Sequence, residues 1–470
     1  MRKSLVFPTI AATLLAGCTV GPNYQRPAIP APANFRAPEG TPTFDPESVG
    51  DLKWFEVFKD EKLQELVRTA LAQNYDLRDA AARVEAASAQ LGVTRSNQYP
   101  NVGAGADIST IRLSRNGQTP LPVAFVPSQN RTFGGATLDL LSFEVDIWGR
   151  LRRATEAARA NLLNAEENRK AVMTTLVSEV ASDYFSLREL DYQLEISQRT
   201  LATRKDSLGL IQTRQSGGVA TLLDLRQAEQ LVYTASETIP TLQQQIEQTE
   251  NQISLLLGKN PGEVLRGKSL TEQEMPPDVP AGLPSALIER RPDIRAAEQN
   301  LIAANANIGV AKAAYFPQIS LSGFLGGQGT QLASLFSGPR SVWNFTPQVT
   351  QPIFTAGRLK SEVKLSQAQR DIALIQYEKT IQTAFTEVSD SLIAHQRVRE
   401  SRVQQELLVA ALQDRTRLAY VRYTGGVDTL LNALDSDRDL FQAELTLSQI
   451  RLNELDSVVQ LYKALGGGWQ

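Results

Sequence analysis

Cysteine, histidine and long apolar runs are the scarce features of this sequence. One cysteine, Cys18, stands in 470 residues, so no intrachain disulfide can form. One histidine, His395, leaves Cys/His-rich metal sites without ligands. Beyond the N-terminal segment no apolar run approaches the roughly 20 residues that a membrane helix needs. Such a chain crosses a membrane only as a closed β-barrel, the other arrangement that satisfies every backbone group. An excess of one charge is missing too. With 48 basic against 51 acidic side chains the net charge is −3, which leaves no global basic face for nucleic acid. A phosphate-binding glycine loop is also lacking: the glycine-rich stretch 323–329 follows a strand pattern but opens no helix.

What is present begins at the N-terminus. Residues 1–17 combine a basic start (Arg2, Lys3), an apolar stretch and small residues before Cys18, the form of a secretory signal. Leu15-Ala16-Gly17-Cys18 resembles the lipobox of bacterial lipoproteins, which implies a covalent lipid on Cys18. Thr19 follows, not the aspartate associated with inner-membrane retention, so sorting to the outer membrane is allowed. Each buried acyl methylene is worth about 0.8 kcal/mol, so several chains anchor firmly. Seven prolines between Pro22 and Pro46 point to an extended, lipid-anchored tether over residues 18–50.

The body of the chain repeats itself. Residues 76–102 align without gaps on 293–319 at an offset of 217, with Asp76/Asp293, Arg78/Arg295, Gly92/Gly309 and Pro100/Pro317 identical. Further on, Gly149-Arg150-Leu151 matches Gly357-Arg358-Leu359 at an offset of 208. That offset holds through Gly217-Gly218-Val219 with Gly425-Gly426-Val427, and on to Leu257-Gly258 with Leu465-Gly466. Two copies of one unit are expected, residues 51–262 and 284–470, joined by a linker at 263–283. The change of offset places a loop of unequal length between residues 102 and 149.

Each copy reads as helix, two strands, long helix, turn, helix. Residues 151–208 and 358–424 contain neither Pro nor Gly, the strongest helix breakers. At 1.5 Å per residue, stretches of some 60–65 residues make rods of about 90–100 Å. Met173, Val180, Leu187, Leu194, Leu201 and Leu208 fall on a heptad seam, and His395 occupies the seam position that matches Leu187. Pro240, well inside the returning helix, is expected to kink or shorten it. Four segments alternate apolar and polar residues: 102–112, 143–147, 318–323 and 343–350. Four strands cannot enclose a channel, since about eight only just enclose their own side chains. They form either a soluble sheet or one share of a barrel completed by other chains.

These features together resemble the TolC-like outer-membrane efflux proteins, specifically the lipoprotein branch serving RND-type drug pumps. The most specific segment is Gly282-Leu283-Pro284-Ser285-Ala286-Leu287-Ile288-Glu289-Arg290-Arg291-Pro292-Asp293-Ile294-Arg295, supported by Ala314-Tyr315-Phe316-Pro317 and by Gly21-Pro22-Asn23-Tyr24. The resemblance covers essentially the whole chain. It implies an α+β membrane protein: a homotrimer whose chains each give four strands to a 12-stranded β-barrel, continued by a long periplasmic α-helical barrel. Its function would be a duct with no enzymatic activity, passing drugs from an inner-membrane RND pump and its periplasmic adaptor to the outside.

The working parts are then expected at the two helix–helix turns. By the resemblance, Asp428 and Asp435 present carboxylates near the axis, Arg422 and Tyr423 hold neighbouring helices, and Asp224 belongs to the other turn. Gly218, Val219, Gly426 and Val427 are the expected adaptor contacts. Rings of like charge select cations and resist close approach. Asp428 and Asp224 also stand early in their helices, where a carboxylate serves as a cap. Ala220 stands opposite Asp428 and Asn432 opposite Asp224, so the two turns are not expected to act equally. Two other readings stay open on sequence alone: a periplasmic coiled-coil lipoprotein that passes nothing, and a duct serving a peptide, protein or metal-ion exporter.

Overall fold

A computed structural model of the chain describes residues 19–30, 32–37, 48–112, 130–274, 282, 284–330 and 340–469. Cys18 and the signal segment lie outside the described residues. In chain order the helices and strands are α1 (Trp54–Val57), α2 (Glu61–Gln73), α3 (Tyr75–Ser96), β1 (Val102–Arg112), β2 (Asn130–Glu144), α4 (Arg150–Ser216) and α5 (Leu222–Leu256). There follow α6 (Pro284–Arg290), α7 (Pro292–Ala313), β3 (Gln318–Gly329), β4 (Ser341–Thr350), α8 (Arg358–Thr424) and α9 (Leu430–Ala464). Matching elements have matching lengths: α3 and α7 have 22 residues each, α4 and α8 have 67, and α5 and α9 have 35. Among the described residues no helix is long and apolar enough to cross a membrane.

Two compact units share the chain. The described residues within 19–27, 84–164 and 297–376 form one, and those within 28–83, 165–296 and 377–469 form the other. The first carries the sheet, four antiparallel strands in the order β1-β2-β3-β4. Its register puts most apolar side chains on one face, because successive residues point to opposite faces, while Ile111, Phe133 and Phe324 fall among the polar residues of the other. Val102, Ala104, Ala106 and Ile108 pair with Leu140, Leu138, Ala136 and Gly134. Leu138 and Leu140 in turn pair with Leu325 and Gly323, and these with Trp343 and Phe345. One face is thus apolar, yet Val102, Ile108, Leu138, Leu325, Trp343, Phe345 and Val349 are all exposed. The opposite face carries Asp107, Ser109, Thr137, Asp139, Ser322, Gln348, Thr346 and Asn344, which the same register aligns.

The segment 143–147 needs correction. β2 ends at Glu144, and Val145 adds one ladder bond to the Ile319 carbonyl (2.8 Å) before the chain leaves the sheet. Asp146 instead accepts the backbone N–H groups of Leu151 (3.1 Å) and Arg152 (2.9 Å), otherwise unpaired at the start of α4. The alternation of Val145 and Ile147 with Asp146 therefore reads a cap as a strand. Pro240 does not shorten its helix: α5 runs through it from Leu222 to Leu256.

The second unit has a dense core in which Tyr184, Leu187, Val180, Ile381, Ala384, Val388, Val459 and Tyr462 are almost fully buried. Val180 and Leu187 are seam positions read from the sequence, and at the matching position of the second half His395 Nδ1 meets Ser457 Oγ at 2.9 Å. Asp60 shows how the segment after α5 is held. Its carboxylate accepts the backbone N–H groups of Lys62 (2.8 Å) and Lys268 (2.9 Å), the Tyr184 hydroxyl (2.8 Å) and the Gln273 amide (2.9 Å). Burial raises its pKa, but the hydrogen bonds from Gln273, Tyr184, Lys62 and Lys268 outweigh that and hold it below the usual value.

Candidate functional site

The second unit ends in two helix–helix turns built on one backbone plan. In the first, Gly217 N–H bonds the Thr213 carbonyl (3.1 Å) and Val219 N–H the Arg214 carbonyl (2.8 Å). In the second, Gly425 N–H bonds the Val421 carbonyl (3.0 Å) and Val427 N–H the Arg422 carbonyl (3.0 Å). Gly218 and Gly426 sit at φ +72° and +74°, the left-handed conformation that closes a helix and costs other residues roughly 1–2 kcal/mol. Val219 and Val427 are then strongly exposed, at 79% and 67%. The four expected adaptor contacts thus occupy the turns themselves.

The side chains differ. At the first turn Thr221 N-caps α5: its hydroxyl accepts the Asp224 N–H (3.1 Å), and the Asp224 carboxylate accepts the Thr221 N–H (2.8 Å). This reciprocal capping box occupies Asp224 entirely within its own helix end. At the second turn Thr429 N-caps α9 with no side-chain bond. Asp428, one residue earlier, accepts the Asn432 amide (2.7 Å), Arg422 Nε (3.0 Å) and the Thr429 N–H (2.8 Å). The hydrogen bonds from Asn432 and Arg422, with the backbone bond from Thr429, hold its carboxyl below the usual aspartate range. Asp428 is therefore a clasp between the end of α8 and the start of α9, not the N-cap residue.

Arg422 and Asp428 are brought together, but Arg422 clasps its own turn. Tyr423 reaches the other hairpin: the Arg214 guanidinium lies 4.8 Å from its ring centroid. It also packs on Ile211, Ala228, Leu430 and Leu434, an apolar cluster drawn from both hairpins. Asp435 joins a different group, pairing with Arg438 (3.2 Å), which also meets Asp439 (3.3 Å), itself paired with Arg415 (3.0 Å). The i,i+3 spacing of Asp435 and Arg438 is a signal that sequence reasoning passed over.

A deeper brace was missed outright. Arg204 of α4 meets Asp437 of α9 at 2.7 Å with both side chains buried. It also bonds the Leu231 carbonyl (3.0 Å) and stacks 4.9 Å from the Phe441 ring. The partners stand 233 residues apart, and nothing local in the sequence couples them.

With this geometry in hand, the comparisons are decisive. The profile described as outer membrane efflux protein matches residues 66–259 and again 283–467. The chain belongs to the outer membrane efflux protein family. A probable efflux pump outer membrane protein of Pseudomonas putida, TtgC, is 39% identical over 475 residues, covering 100% of this chain and 96% of that protein. The cation efflux system protein CusC of Escherichia coli is 34% identical, with 100% of both chains covered. Among solved structures, the outer-membrane channel OprN has a TM-score of 0.89 at 30% identity, over 96% of this chain and 100% of that one. The open state of the Neisseria gonorrhoeae MtrE outer membrane channel gives 0.87 at 31%, over 96% and 99%. This member of the family is an outer-membrane channel protein of efflux pumps in a Gram-negative bacterium. Its fold is that of these channels, mostly helical with one four-stranded sheet per chain.

Proposed function

We propose that three copies of this chain complete a 12-stranded barrel and continue it as a long helical barrel in the periplasm. The observation that carries the reading is the sheet: among the described residues its apolar face is uncovered and its outer strands β1 and β4 pair on one side only. Unpaired backbone groups cost several kcal/mol each in lipid, so such a sheet is tolerated there only once its edges are closed by other chains. Antiparallel strands with one lipid-facing and one water-facing side are the ordinary construction of membrane barrels. The equal helix lengths of the two halves, and the two matches to one family profile, support a duplicated unit. The polar face lines the duct, which passes small toxic molecules without doing chemistry on them. A lipid on Cys18 anchors the chain.

At the periplasmic end, Asp428, Arg422, Tyr423 and Asp435 make the gate, with Asp224 in a structural part. Gly218, Val219, Gly426 and Val427 meet the adaptor of an inner-membrane RND pump, whose energy the duct needs. Exposed apolar groups at both turns support a docking role. The names of the relatives, an efflux pump and a cation efflux system, are compatible with such a three-part assembly.

The test is to reconstitute purified full-length protein in planar bilayers and to measure its native mass. Trimers giving discrete ion currents are expected. Monomers without current would remove the channel reading and leave a lipoprotein of helical stalks.

A further inference from the structure

Pro240 lies near the middle of α5, exposed, and the helix continues past it. Proline carries no N–H, so the carbonyl of Ser236, four residues earlier, loses the bond that an α-helix supplies. The next carbonyl along, that of Glu237, accepts the Thr241 hydroxyl (3.3 Å). Ser236 is half-buried, and a backbone acceptor left over there calls for a donor from outside its helix.

The two halves of the sequence show where such a donor stands. Within the chain α4 packs along α9: Ser448 donates to Glu189 (2.9 Å), Arg199 meets Glu444 (3.0 Å) and Arg204 meets Asp437 (2.7 Å). At the repeat offset of 208, α4 corresponds to α8 and α5 to α9. Glu189 and Ser448 then correspond to Arg397 and Pro240, Arg199 and Glu444 to Leu407 and Ser236, and Phe441 to Tyr233. Glu189, Ser448 and Phe441 are buried. Their counterparts are open: Leu407 is 62% exposed, Tyr233 65% and the Arg397 side chain 63%. One chain thus completes one seam of this kind, and carries the two sides of a second seam on its surface.

We propose that α8 of one copy packs along α5 of the next as α4 packs along α9, and that the Arg397 guanidinium donates to the Ser236 carbonyl left over at Pro240. This rests on the three-copy reading of the preceding section. The repeat sets Arg397 opposite Pro240, as it sets Glu189 opposite Ser448. A helical carbonyl points toward the residue four further on, so the Ser236 oxygen lies at the level of Pro240. Within its own helix Arg397 pairs with Glu400 (2.7 Å), an exposed contact of small worth. A guanidinium has five N–H donors, so it keeps that contact and still reaches the carbonyl. Hydrogen bonds from a cation are the stronger kind, and the exposed Leu407 and Tyr233 close apolar surface around this one. Pro240 therefore marks α5 with an acceptor that a neighbouring copy in the right register satisfies.

The test follows dissociation of the detergent-extracted full-length trimer by native mass, for wild type, Arg397→Ala, Pro240→Ala, their combination and Glu237→Gln. Pro240→Ala returns an N–H to the Ser236 carbonyl and, alanine being the best helix former, strengthens α5 itself. Dissociation should be about tenfold faster in Arg397→Ala and in Pro240→Ala alike, no faster in their combination, and unchanged in Glu237→Gln. A second measurement reads position: Arg397→Cys combined with Pro240→Cys, treated with a short bifunctional thiol reagent, should link copies to one another, and neither single variant should. Wild-type trimer lifetime in Pro240→Ala, or a matching loss in Glu237→Gln, would overturn the role of the carbonyl. Trimers with no link between copies would overturn the seam. A wild type that forms no trimer would instead overturn the reading of the preceding section.

Discussion

The two helix–helix turns share a backbone and divide their chemistry. Both close on a left-handed glycine, and both display an exposed valine. The first binds its carboxylate, Asp224, into a capping box that is complete within one helix end. The second leaves its N-cap Thr429 unused and strings Asp428 between Arg422, Asn432 and the backbone of Thr429. Opening a capping box leaves N–H groups at the helix end unpaired, so the box serves the helix itself. The Arg422–Asp428 clasp is exposed at 58% on the arginine side and can exchange partners while both helices stay folded. A duplicated unit can thus keep one copy as scaffold and let the other become switchable.

The strongest way to break this comparison is to remove the brace that both hairpins share. Arg204→Ala leaves Asp437 buried without its cation, and thermal or denaturant unfolding should show a loss of about 3–5 kcal/mol. Next, Gly218→Ala and Gly426→Ala should each cost about 1–2 kcal/mol in the same assay. The costs should be alike, because the backbone is the part the two turns share. The caps should then separate them: Thr221→Ala is expected to cost about 1 kcal/mol and Thr429→Ala close to nothing.

A further asymmetry should appear as pH dependence. Asp183 is raised to about 6 by burial, together with the nearby charges of Glu179 and Asp456, whereas Ser391 stands at its place in the second half. Its charged form is disfavoured in the folded state, so the unfolded chain ionises first. The resulting penalty is absent below about pH 4 and grows to its full size above about pH 6. Partial solvent exposure reduces it to about 1 kcal/mol. Asp183→Asn should flatten this part of the stability–pH profile and stabilise the protein at pH 7.

The long helices, the glycine turns and the strands β1, β3 and β4 were legible because each rests on a local pattern: absence of breakers, a heptad, or alternation. β2 was misread because Asp146 continues an alternation while serving as a cap. Pro240 leaves its helix at full length, so a single proline does not set where a helix ends. At the candidate site, Asp224 and Asp428 were found by position, and their inequality by comparison of the copies. The Arg204–Asp437 brace and the Arg153–Asn23 hydrogen bond join residues more than 100 positions apart, with no periodic trace in the sequence.

Single-channel conductance of the purified protein tests the division of labour most directly, with Asp428→Ala and Asp224→Ala measured side by side. The account predicts a conductance that rises several-fold for Asp428→Ala and stays at the wild-type level for Asp224→Ala. Equal responses of the two variants, or a rise in Asp224→Ala alone, would contradict it.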